Sequence, residues 1–185
     1  TPCTSMPKTF NCPTTPPAVG GKRNEYKGYA INAGGGVQMS ACCPERALDS
    51  DGIGHKNSRV RMAEITDGTS NTFMHLEQAS TYTELADGSG TKYKFFPTNP
   101  FVWVNHNSQG MVIASITTAR PMPPNPSPAL MQAWRQNARV SWSFHPSGVM
   151  ASMCDGSVRF VPNTISQNLW YSVFTRSGGE SDQLP

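Results

Sequence analysis

Phe144-His145-Pro146-Ser147-Gly148-Val149, followed by Met153-Cys154-Asp155-Gly156-Ser157-Val158-Arg159-Phe160, is the stretch that decides the fold. Asp155-Gly156 falls between two alternating apolar runs, where a tight hairpin turn belongs. A two-residue type I′ turn needs positive φ at both central positions, and Asp-Gly supplies this at low cost. The residues therefore predict a β-hairpin from Val149–Cys154 and Ser157–Val161, with Val140–Phe144 as a further strand of the same sheet. His145 precedes the Asp-Gly by nine residues, and its Pro-Ser-Gly neighbours predict a strand end running into a turn.

Working outward, Val60 to Phe73 reads Val-Arg-Met-Ala-Glu-Ile-Thr-Asp-Gly-Thr-Ser-Asn-Thr-Phe, with Glu77 close behind. Ser58–Ile65 alternates well enough to suggest a strand. Thr66–Asn71 is a turn rich in side chains that bond their own backbone. Thr72–Glu77 then leaves as a strand. Tyr26–Asn32 and Met111–Ile116 are further strand candidates, and Ser166–Phe174 carries the apolar spacing of a short helix. Residues 1–25 hold five prolines and predict an extended arm. Residues 121–128 read as a polyproline-like surface loop.

Composition agrees with a loop-rich, β-rich body. The chain has 185 residues, enough for one domain with a core. It holds 16 Gly and 16 Pro, which favour turns over long helices. Net charge is +3 without a basic stripe, which speaks against nucleic acid as a partner. No apolar run approaches the roughly 18 residues of a membrane-spanning helix. Gly34-Gly35-Gly36 lacks the Gly-Lys-Ser/Thr of a phosphate cradle and reads as a plain loop.

Several blocks together resemble one family. The His145–Asp155-Gly156 spacing, the Ile65-Thr66-Asp67-Gly68-Thr69-Ser70-Asn71-Thr72 run with Glu77, and Phe10-Asn11-Cys12-Pro13 are similar to the planctomycete prepilin-like proteins. The tail from Thr164 to Glu180 is similar to that family's ending. The resemblance implies an α+β, β-rich fold: an antiparallel sheet resembling the globular head of a type IV pilin or pseudopilin, with long loops. Members of that family begin with a prepilin peptidase site and a long apolar helix. The first ten residues here are polar, so that N-terminal helix is expected to be missing from this chain. The domain reading is a single pilin-like body over 1–185, with an N-terminal arm (1–25), a middle region without a placeable motif (80–139) and a C-terminal motif region (140–176).

The resemblance implies a non-enzymatic structural or assembly subunit of a surface filament or secretion pseudopilus. Its expected partners are copies of itself or other pilin-like subunits, with membrane contact only through the absent helix. An extracytoplasmic location, cell-surface or secreted, goes with it. The alternative is a secreted carbohydrate- or solute-binding module that stacks ligand on Trp103, Trp134, Trp142 or Tyr93. A hydrolase would need His145, Asp155 and Glu77 to converge.

The residues with motif character are His145, Gly148, Asp155, Gly156, Asp67, Gly68, Asn71 and Glu77, read as structural. His145 is expected to bond a backbone group near the hairpin, the sharper readings being a metal ligand or a base paired with Asp155. No nucleophile motif of the Gly-x-Ser-x-Gly kind is present, so no catalytic residue is assigned. Of the five cysteines, Cys3 is expected to pair with Cys12, and Cys42 or Cys43 with Cys154. Such bridges would mark an oxidising compartment. Structural zinc favours Cys-x2-4-Cys knuckles, and the sequence has none. No cofactor is expected. Calcium is the weak candidate, at the oxygen-rich turns of Asp67 and Asp155.

Overall fold

The computed structural model describes residues 8–10, 12–15, 28–34, 51–54, 58–78, 83–86, 92–95, 111–112, 123–127, 141–180, 182 and 184. Within them the chain is mostly β with little helix. Strands β1 (Tyr29–Asn32), β2 (Phe73–Glu77), β5 (Met111–Val112), β6 (Gly148–Met153) and β7 (Val158–Pro162) form one sheet in the order β5-β1-β2-β6-β7. The run from β1 to β7 is antiparallel, while β5 joins β1 in parallel. Strands β3 (Thr83–Ala86) and β4 (Lys92–Phe95) make a separate hairpin. Among the described residues the one α-helix is α1 (Gln167–Ser172), which starts where the Ser166 side chain accepts the Leu169 N–H.

Alternation along the strands sends one set of side chains into the core and the next set to the opposite face. Val149, Ala151 and Met153 of β6 are buried beside Phe73 and Leu76 of β2 and Ala30 of β1. The helix and the segment after it close this face with Trp170, Val173 and Phe174. Three rings meet edge-on: Phe73–Trp170 at 5.5 Å, Phe73–Phe174 at 5.2 Å and Trp170–Phe174 at 4.8 Å between centroids. Tilted and T-shaped pairs at these separations add to what burial alone contributes.

The Asp-Gly hairpin forms, but not with the expected turn. Asp155 keeps a negative φ, and only Gly156 is left-handed, at φ +87. The Gly156 N–H closes back onto the Met153 carbonyl at 3.0 Å, and the Met153 N–H onto the Ser157 carbonyl at 2.8 Å. This is a three-residue loop ending in a left-handed glycine. The Asp155 carboxylate accepts from the Ser157 N–H (2.8 Å) and hydroxyl (2.7 Å), which fixes Asp155 in that conformation.

Two expected strands are not strands. The Glu64 carboxylate captures the Arg61 N–H at 2.7 Å, so the chain turns into a 3-10 helix at Met62–Glu64 instead of extending to Ile65. Over the described part of the expected Val140–Phe144 strand, residues 141–144, side chains replace the ladder. Ser143 N–H donates to Asn125 Oδ1, Ser143 Oγ donates to the Gly148 carbonyl, and only a single bridge joins Trp142 to Gln78. No helix among the described residues is long and apolar enough to cross a membrane.

Candidate functional site

The sequence blocks gather into two clusters. The first is structural and centres on Asp67. One carboxylate oxygen accepts from the Thr175 hydroxyl (3.1 Å) and the Gly178 N–H (2.7 Å), and the other from the Gly179 N–H (2.9 Å). Gly68 holds φ +100, and its carbonyl accepts the Asn71 N–H. The Asn71 amide returns to the Asp67 carbonyl, and the Thr72 hydroxyl spans the Gly68 and Thr175 carbonyls. The same loop receives the Cys154 N–H at Thr72 and the Asp155 N–H at Thr69. Asp67–Thr72 therefore binds the C-terminal segment on one side and the β6–β7 turn on the other. Both oxygens of Asp67, and Oδ1 of Asp155, accept from protein donors. These two calcium candidates also share no cluster of metal-ligand side chains among the described residues.

The second cluster lies on the sheet face opposite the aromatic core. Glu77 ends β2, next to Leu76, so alternation turns its side chain away from that core. It is nonetheless 1% exposed. One oxygen, Oε2, accepts the Met150 N–H at 2.6 Å. The other, Oε1, lies 3.1 Å from His145 Nε2 but accepts no hydrogen bond. Cys12 Sγ stands 3.5 Å from the same ring nitrogen and 2.9 Å from Thr14 Oγ1. The three donor atoms Sγ, Oε1 and Nε2 all lie within 4.8 Å of one another.

Each side chain is placed by its backbone. The Gly28 N–H donates to the Phe10 carbonyl at 2.6 Å, and a Cβ at Gly28 would sit 3.0 Å from the Cys12 nitrogen. Glycine at 28 thus lets the Cys12 segment lie flat on the start of β1. His145 is held through its N–H, which donates to Ser143 Oγ at 3.1 Å. Ser147 takes φ +65, so the chain reverses between His145 and β6. Asn125, from the proline-rich loop, ties this reversal down by donating to the Gly148 carbonyl and accepting from the Ser143 N–H. Gly148 is required by space: a Cβ there would run into the Phe160 ring and the Val161 carbonyl. Tyr29, opposite Glu77 in the register, completes the wall. Its phenol pKa is raised, first by burial, then by electrostatic repulsion from the neighbouring Cys12 and Glu77 and by a hydrogen bond to Cys12.

Several expectations change here. His145 does not pair with Asp155, which sits at the other end of β6, and its ring meets Glu77 and Cys12 rather than a backbone group. Neither expected disulfide forms, because each needed Cys12 or Cys154 and both are free thiols. Cys12 Sγ faces His145, and Cys154 Sγ donates to the Phe73 carbonyl inside the sheet. The other cysteines, Cys3, Cys42 and Cys43, lie outside the described residues, as do Trp103 and Trp134. Cys12, expected as a partner of Cys3, instead meets His145, and no local spacing links it to a His 133 positions away.

Chemically, the arrangement is not a thiol–imidazole–carboxylate relay. A relay sets the nucleophile on one ring nitrogen and the carboxylate on the other. Here Cys12 and Glu77 both meet Nε2. Three donors of different types within 4.8 Å of one another are an arrangement that could hold a metal ion.

No curated protein and no solved structure matches the chain. One family model, SBP_bac_10, described as "Protein of unknown function (DUF1559)", matches residues 4–168. Its match takes in Cys12, the Asp67 turn, Glu77 and the whole His145 hairpin, and this chain belongs to that family.

Proposed function

We propose that the protein is a non-enzymatic assembly subunit, pilin-like in role, that joins copies of itself or related subunits into an extracytoplasmic filament or pseudopilus. The observation that carries this reading is the edge strand β7. Among the described residues only β6 pairs with it. Its outward face presents Val158 and Phe160, 62% and 49% exposed. Sheet edges in chains that stay single are usually blunted by charge, proline or a covering element, because an open apolar edge templates pairing with another chain. Arg159 lies on the other face and is engaged with the Leu184 carbonyl, and Pro162 blunts only the last position of the strand, so the Val158–Phe160 stretch is left open. The dedication of the Asp67 and Asp155 motifs to backbone bonding fits a structural role.

The test is sedimentation velocity and negative-stain microscopy on the purified chain and on Val158→Asp/Phe160→Asp. Concentration-dependent assembly that the double variant loses, with unchanged circular dichroism, is the expected result. A chain that stays single at every concentration, or a variant that assembles as well as the parent, overturns the reading.

The second reading is a solute-binding module. What favours it is an open groove of about 590 Å³ between Arg59–Thr66 and Arg176–Ser177. Two arginines, Arg59 and Arg176, and one carboxylate, Glu64, line it, a net positive charge that suits an anionic solute rather than a neutral sugar. Isothermal titration with carboxylate and phosphate solutes would bring this reading forward if a stoichiometric site appeared.

A further inference from the structure

We propose that Cys12 Sγ, Glu77 Oε1 and His145 Nε2 are the three protein ligands of a zinc-class divalent ion, with water in the fourth position. Two independent observations carry this. The first is convergence: a thiol, an imidazole and a carboxylate from three distant segments place their donor atoms within 4.8 Å of one another. Around a tetrahedral zinc the S, N and O donors stand roughly 3.3 to 3.6 Å apart, as bond lengths near 2.0 to 2.3 Å require. The Cys12–His145 separation of 3.5 Å falls there already, and the Glu77–His145 separation is 3.1 Å. The second is Glu77 itself. Its Oε1 is buried, accepts no hydrogen bond and faces into the cluster, on a residue 1% exposed. A buried carboxylate oxygen that accepts no hydrogen bond and has only the His145 ring beside it is poorly compensated for its lost hydration, and a cation at this point would supply the missing partner.

The donor types select the ion. Thiolate, imidazole and carboxylate together suit a borderline ion such as Zn²⁺, whereas magnesium and calcium favour all-oxygen sets. On binding, the metal displaces the Cys12 thiol proton, and His145 binds as the neutral ring. Each ion therefore releases one proton from Cys12, and a second wherever His145 starts charged. The secondary contacts suit such a site, since the second Glu77 oxygen is fixed by the Met150 N–H and Thr14 Oγ1 lies beside the sulfur. The consequence is mechanical. The ion fastens the Cys12 segment to the end of β2 and to the turn that opens the Asp-Gly hairpin, doing the work expected of a disulfide without one.

The experiment is Co²⁺ titration of the tag-free, chelator-treated full chain, followed by competition with Zn²⁺. Saturation at one ion per chain is expected, with a thiolate-to-cobalt charge-transfer band and the visible spectrum of a four-coordinate ion. Cys12→Ala, Glu77→Gln and His145→Ala are each expected to weaken binding about a hundredfold or more. A companion variant with Cys3, Cys42 and Cys43 changed to Ser and Cys154 to Ala leaves Cys12 as the sole thiol, and it is expected to keep the band. Should a ligand variant fail to fold, this companion decides the matter alone. Failure of the parent to bind one ion, a band that survives Cys12→Ala, or a companion without the band overturns the proposal and leaves a His–Glu ion pair beside a free thiol.

Discussion

Cys154 shows how one position serves packing rather than chemistry. Its thiol is buried, donates to the Phe73 carbonyl and has its pKa pushed up to about 11, by burial first and by the neighbouring Asp155 charge second. Such a thiol stays protonated at neutral pH and is a poor nucleophile and a poor bridge partner. The linkage has a definite sign. The folded value is raised above the ordinary 9.0, so the neutral thiol is favoured by the fold. Its contribution is complete below about pH 9 and is lost as pH rises towards 11. Thermal melts across that window should show falling stability, and Cys154→Ala should lose less over the same range. An identical pH dependence in both proteins would contradict this. Asn32 makes the same point with a polar group. It is fully buried, and its amide donates to the Phe73 and Phe174 carbonyls while its oxygen accepts the Gly34 N–H.

At the scale of elements, the β6–β7 hairpin carries two glycines for different physical reasons. Gly156 stands in open space, where an added Cβ meets nothing, but its φ of +87 is left-handed. Gly156→Ala should cost about 1 to 2 kcal/mol, the penalty of a left-handed alanine. Gly148 is restricted by neighbours, the Phe160 ring and the Val161 backbone. Gly148→Ala should therefore be the worse of the two, since backbone cannot move aside as a side chain can. Urea denaturation of both variants checks the order, and a reversed order would mean that the turn, not the strand pairing, limits the hairpin. The sequence announced this hairpin clearly through its alternation and its Asp-Gly. It did not announce the turn class, because the Asp155 bond to Ser157 competes with the type I′ geometry and wins.

On the scale of the whole molecule, stability rests on the face where Trp170 and Phe174 close over Phe73. Trp170 is 2% exposed and touches both other rings. Trp170→Ala should cost about 3 to 5 kcal/mol, a large share of a typical domain's stability. A loss near zero in urea titration would mean that this helix docks weakly and that the sheet holds without it.

What the sequence determined by itself was local. The strands at Tyr29–Asn32, Phe73–Glu77 and the C-terminal hairpin, the short helix and the Asp67 turn follow from alternation, spacing and turn chemistry within a dozen residues. Ser58–Ile65 and Val140–Phe144 were misread because side chains, Glu64 in one and Asn125 with Ser143 in the other, took backbone groups that a strand would have paired. Only the tertiary structure decided the company of His145. Its partners, Glu77 and Cys12, lie 68 and 133 positions away, and no periodicity reaches that far. They meet because antiparallel pairing fixes where β2 ends relative to the start of β6, and because Gly28 lets the Cys12 segment close over that end.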